Sequence, residues 1–267
     1  MTQAQMLIPW IKTDAFCAKH KFLVYNLISR NLKLKYRQSF LGIAWSLLIP
    51  MATAAMYYLV FQVIVKISVP RYSAFIIAGV LPWTFFSQTI MDGLESIRAN
   101  SGLISKVPLP LNVFPLVVTV TNFITFLIAL PVILLSNLLT GGTFDWSLIL
   151  IIFPLICFFL IGYGISLFLS VAFIHFQDLK HLLGLILQVW FYATPIVYSQ
   201  NLIPTKLSWI VFANPIATPF IIFRDLVMDN RIAPTEYFVT ASLWTLAIFF
   251  MGLYFFDRQG RKLAEII

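Results

Sequence analysis

The sequence predicts an all-α polytopic membrane protein. It has six transmembrane helices, an N-terminal amphipathic interfacial helix, and short re-entrant or periplasmic helices between spans five and six. Three observations predict this. The 267 residues are 60% hydrophobic and only 10% charged, with a mean hydropathy of +0.92, and no soluble fold hides so much apolar surface behind so few charges. The apolar runs approach the ~20 residues a helix needs to cross hydrocarbon and do not alternate like the ~10-residue strands of a membrane barrel. The cations gather at the ends of those runs, so the net charge of +8 reflects topology and headgroup contact rather than binding to nucleic acid.

Residues 1–38 form a cytoplasmic N-terminus without the basic region, apolar core and small-residue cleavage site of a signal peptide. At about 100° per residue, Lys19, Asn26, Arg30, Lys33 and Arg37 fall on one stripe, with Phe16, Leu23, Val24, Leu27, Ile28 and Leu34 mostly opposite. Lys35 adds a further cation to this stretch. The pattern predicts a basic helix lying along a membrane surface, apolar face in the lipid and cations among the headgroups. The competing reading is a positive tail that only sets topology. Leu41-Gly42 marks the bend into the bilayer.

The transmembrane domain covers 39–256, with spans at approximately 43–65, 72–95, 113–139, 148–174, 182–199 and 236–256. A cytoplasmic tail occupies 257–267. Pro50, Pro82 and Pro195 lie inside runs, and Thr140-Gly141-Gly142 is a turn signal. Between residues 200 and 234 stand Pro204, Pro215, Pro219 and Pro234. The apolar pieces between them, 207–212 and 216–223, are too short to span. Two short polar segments, 97–110 and 175–181, connect spans two to three and four to five. With six spans, 13 Lys and Arg lie on the side of the termini and 5 on the other, which puts both termini in the cytoplasm.

Chemistry-bearing patterns are sparse. The chain has no GxxxxGK[ST] phosphate loop and no HExxH or Cys/His cluster at metal spacing. His175 and His181 are six apart, on opposite faces of a helix. Asp92 and Glu95 share a face at i and i+3, but at the end of a span they face water or a partner protein rather than a substrate. Cys17 and Cys157 lie at different depths and do not predict a disulfide. The middles of spans one, three, four, five and six carry no Asp, Glu, Lys, Arg or His, so no ion relay is written into them. Uphill transport therefore requires energy from a separate ATPase chain. Tyr57, Tyr58 and Phe61 in span one and Trp190, Tyr192 and Tyr198 at span five read as interfacial belt residues, or as platforms for sugar rings.

Tyr36-Arg37-Gln38-Ser39, Leu41-Gly42 and Trp45 together resemble the N-terminal signature of the permease subunits of ABC-type polysaccharide exporters, the O-antigen, capsule and teichoic-acid group. Ser105-Lys106-Val107-Pro108-Leu109-Pro110, the run from Gln188 to Tyr198, Asn214-Pro215 and Phe223-Arg224 are similar to further segments of that family, in the same order. Asp178 matches the family's Arg-Asp pair, but Gln177 stands where the arginine would be.

The resemblance implies a channel-forming subunit in a bacterial inner membrane, moving a lipid-linked polysaccharide on undecaprenyl diphosphate. A second copy of the chain would complete the channel between spans one and five, lined by the six aromatics above. Two ATPase subunits would carry ATP and Mg, leaving this chain without a cofactor or catalytic residue of its own. They would dock on Asn100, Ser101, Gly102, Leu103, Ile104, Ser105, Lys106, His175, Gln177, Asp178, Lys180 and His181. The lipid diphosphate would be received by Arg30, Lys33, Lys35, Arg37, Leu41 and Gly42, where headgroup-level cations suit it. The alternatives are a permease for teichoic acid or a small lipid or drug, or a non-transporting membrane enzyme or scaffold.

Overall fold

The computed structural model describes residues 21–36, 41–104 and 110–263. Lys19, Cys17, Arg37, Gln38 and Ser39 lie outside the described residues, as do Ser105, Lys106 and the rest of 105–109. Among the described residues there are helices and turns and no strand.

Helix α1 is Lys21–Tyr36. Gly42, at φ 51°, adopts the left-handed backbone that glycine enters without a Cβ clash. From it a 3-10 turn, Gly42–Ala44, leads into α2, Trp45–Tyr58, which widens into a π-helical stretch, Leu59–Ile64. Next come α3, Tyr72–Glu95, a turn at Arg98–Asn100, and the one-turn helix α4, Ser101–Ile104. Helix α5 is Val113–Leu139; a 3-10 turn, Trp146–Ile151, opens α6, Ile152–His175; α7 is Leu179–Ala193. Helices α8, Trp209–Ala213, and α9, Ala217–Met228, follow, and α10, Thr235–Leu263, closes the fold.

Pro50, Pro82 and Pro131 lie inside α2, α3 and α5. Such prolines are tolerated in membrane helices where neighbouring helices and local adjustments re-satisfy the freed backbone groups.

Helix α3 is the axis. It packs against α2, α5, α6, α7 and α9, and Phe86, Ile90 and Leu94 along it are fully enclosed. Phe126 and Ile133 of α5, Phe158 and Ile161 of α6 and Phe220 and Phe223 of α9 complete this core. Helix α10 lies along α6, and the two backbones meet at Gly164 and Gly252. By contrast α2 buries only Pro50 and Ala54, and α7 only Leu183, Leu187 and Phe191.

Five of the described helices are long and apolar enough to cross a membrane, and α8 and α9 form a pair bent by 100°. Helix α7 differs from the expected span at 182–199. It has 15 residues, or about 22 Å of rise against ~30 Å of hydrocarbon. It stops because Thr194 precedes Pro195, and the proline ring drives that residue out of the helical region, to φ −102° and ψ 137°.

The end of the bundle away from α1 is tied by Arg71. Its guanidinium donates to Asn137 Oδ1 at 2.7 Å, to the Met228 carbonyl at 2.5 Å and to Asp229 at 3.1 Å. Nearby, Arg231 and Asp225 pair at 2.9 Å, and that bonded carboxylate holds the Arg231 guanidinium above its ordinary pKa.

Candidate functional site

At the α1 end of the bundle, cations meet amides. Arg30 donates to Asn100 Oδ1 at 2.7 Å, and Asn100 donates onward to the Ser96 carbonyl. Lys35 reaches between α3 and α5, with Nζ 2.8 Å from Asn122 Oδ1 and 3.2 Å from Gln88 Oε1. The buried Asn122 in turn donates to Asp92 at 3.1 Å. Lys33 is exposed on α1. Amide partners orient Arg30 and Lys35 without cancelling their charge, so the region stays suited to an anion.

The apolar side of α1 differs from the expectation of lipid contact. Leu27 is buried, and Leu23, Val24 and Ile28 join it against Val113, Val117 and Leu103. The helix docks on the start of α5, and burial there removes from water the residues expected to enter lipid. Phe22, Tyr25 and Leu34 remain exposed.

The two short connecting segments come together at this same end. Glu95, closing α3, forms an ion pair with Lys180 at the start of α7. The Arg98 guanidinium lies 5.7 Å from the centre of the Phe173 ring. Ser101 and Gly102 are exposed, and Leu103 and Ile104 pack inward. His175, Gln177, Asp178 and His181 are exposed. Asp178 starts α7 through its carbonyl, which accepts from His181 and Leu182, while its side chain makes no capping bond. Beside it a cleft of about 650 Å³, lined by Phe168, His175, Phe176, Asp178, Leu182 and Phe255, opens between α6, α7 and α10.

The six expected channel aromatics do not share one surface. Tyr57 stacks on Phe191 at 5.2 Å and lies 6.2 Å from Phe61. Tyr198 donates to the Tyr192 carbonyl at 3.0 Å, and Tyr192 is half exposed. Tyr58 leans on Tyr72. Trp190 instead turns inward: its ring meets Phe86 edge-on at 5.4 Å and its indole N–H donates to Asn214 at 2.9 Å. Around the outward aromatics, Ile49, Met56, Leu185, Ile186 and Val189 form the exposed apolar faces of α2 and α7.

In the sequence Arg224 reads as one more cation at the end of an apolar piece, with nothing local to mark it. It is buried, with its guanidinium 3.8 Å from the Phe75 ring centre. Gln88 and Asn122 are neutral residues inside spans, and no charge marks them in the sequence.

A profile described as ABC-2 type transporter matches residues 23–228. The chain is 31% identical over 249 residues to the O-antigen export system permease protein RfbA of Klebsiella pneumoniae, covering 92% of this chain and 95% of that protein. To RfbA of Myxococcus xanthus it is 28% identical over 253 residues, 93% of this chain and 96% of that one. The polysialic acid transport protein KpsM of Escherichia coli is 22% identical over 246 residues, at 87% and 92%. A profile that takes in most of the chain, on a fold of apolar helices around α3, makes this multi-pass membrane protein a member of the ABC-2 type transporter family.

Proposed function

We propose that the chain is the channel-forming transmembrane subunit of an ATP-driven exporter that carries lipid-linked, O-antigen-like polysaccharide across the bacterial inner membrane. The observation that carries this is the match to O-antigen export permeases over more than nine-tenths of the chain. In this reading both termini are cytoplasmic and two ATPase subunits supply the hydrolysis. They dock on the segments joined by Glu95–Lys180, with the exposed Asp178 side chain among the contacts. A second copy covers the exposed faces of α2 and α7, whose shortage of buried residues supports such an interface. Arg30, Lys33, Lys35, Arg37, Leu41 and Gly42 receive the diphosphate of the carrier lipid.

The test is a strain lacking this chain. It should accumulate lipid-linked polymer inside the cell, and restoring the chain together with its ATPase should return polymer to the surface. Unchanged surface polysaccharide in the deletion strain would refute the proposal. Accumulation of a small lipid instead would favour the small-cargo permease.

A further inference from the structure

The strongest unassigned arrangement lies where α7 ends. Helix α7 begins just after Asp178 and is a continuous hydrogen-bonded rod as far as Ala193. Beyond that there is no helical ladder to pass a displacement onward, so the carbonyls of residues 193–197 must find other partners. All five carbonyls from Ala193 to Val197 have one. The Ala193 carbonyl accepts from Asn214 Nδ2 at 3.2 Å, and Thr194 accepts from the Ile196 amide at 2.7 Å. Pro195 and Ile196 accept from Nη1 and Nη2 of Arg224 at 2.7 and 2.9 Å. Val197 accepts from the Tyr72 hydroxyl at 2.7 Å.

Of these donors, Arg224 belongs to α9, Asn214 to the bend between α8 and α9, and Tyr72 to the central helix. Asn214 also accepts from Trp190 and donates to the Thr194 hydroxyl, which places it astride the last turn of α7. Space for the guanidinium is reserved by Gly79: a Cβ there would sit 2.8 Å from Arg224 Nη2 and 2.9 Å from the Ile196 carbonyl. Losing either arm of Arg224 would leave a buried carbonyl unpaired, which the interior resists.

We infer that Arg224, assisted by Asn214 and Tyr72, is a positioning residue for transport. It joins the outer end of α7 to the bent pair α8–α9, so that movement started at the Asp178 end of α7 is delivered to that pair. The inference rests on the exporter reading above, in which the Asp178 end is where the ATPase pushes.

The test uses the full chain assembled with its ATPase, and reads polymer exported per ATP hydrolysed. In Arg224→Lys the charge stays but the two-carbonyl fork is lost. Export per ATP should fall about tenfold, the scale of a lost hydrogen bond to a charged group, with the ATPase still bound and turning over at the wild-type rate. Tyr72→Phe keeps the ring and removes only the bond to Val197, so it serves even if Arg224→Lys does not reach the membrane. It should lower the same ratio by a smaller factor. An unchanged ratio in Tyr72→Phe and in every assembled Arg224→Lys complex overturns the inference. So does a parallel fall of export and hydrolysis, which would make these residues merely structural. If the wild-type chain neither binds nor stimulates an ATPase, the exporter reading itself fails.

Discussion

Lys35 on α1 and Asn122 inside α5 are joined by a 2.8 Å hydrogen bond that fastens the basic helix to the core of the bundle. Lys33, two residues earlier, points outward. The two lysines should therefore behave differently. Lys35→Ala should destabilise the detergent-solubilised protein by about 1–3 kcal/mol, because a buried amide oxygen loses its donor. Lys33→Ala should leave stability within about 0.5 kcal/mol while weakening binding to vesicles that carry a diphosphate lipid. Chemical unfolding and vesicle flotation, run side by side, check the pair; equal unfolding midpoints would remove Lys35 from its fastening role.

The Glu95–Lys180 pair is partly exposed, at 39% and 48% of the side-chain surface. Solvent screening holds its contribution below about 1 kcal/mol. Glu95→Gln should barely shift the unfolding midpoint. Asp178→Ala should likewise leave the fold intact, and in addition weaken ATPase binding in a pull-down. Retention of full ATPase binding by Asp178→Ala would remove that carboxylate from the contact.

Arg71 sits at φ 52° while its side chain ties α3 to Asn137, Met228 and Asp229. Arg71→Ala and Arg71→Gly both sever the tie, but only glycine relieves the left-handed backbone, worth roughly 1 kcal/mol. Both variants should be less stable than the natural chain, and the alanine variant the weaker of the two. The reverse order would show that the backbone strain is absorbed elsewhere.

Two glycines give opposite expectations for the same substitution. A Cβ on Gly252 would collide with the backbone of Gly164, whereas one on Gly184 meets nothing within 4 Å. Gly252→Ala should destabilise by about 1–3 kcal/mol through overpacking. Gly184→Ala, in the exposed part of α7, should stabilise by up to about 1 kcal/mol through helix propensity. Unfolding midpoints of the two variants decide it.

Much of the fold was legible because apolar length is written directly in the chain. The bend at Gly42 and the turn after Leu139 were announced by their glycines. The end of α7 was obscured because the apolar run continues unbroken through Pro195 to Tyr198, and hydropathy does not register the loss of a helical ladder. The inward contacts of Trp190 were hidden for a related reason. Leu183, Leu187 and Phe191 recur at i, i+4 and i+8 and mark the inward face, and Trp190 flanks it. The partners of Arg224 lie 28 and 29 residues away, a separation that no local pattern encodes.

Helix α7 also has a consequence for the surrounding lipid. A rod of about 22 Å is shorter than the hydrocarbon it has to traverse, and mismatch of this kind is met by thinning the bilayer or by backbone satisfied within the protein. Here Arg224, Tyr72 and Asn214 supply that satisfaction, and they stand on the protein side of the segment. The exposed flank, carrying Val189 and Tyr192, is the one that a second copy covers in the proposed assembly. Thin bilayers would match the rod alone. In thick ones, the unwound residues beyond it would have to lie at hydrocarbon depth, which makes acyl-chain length a natural variable controlling how this protein works.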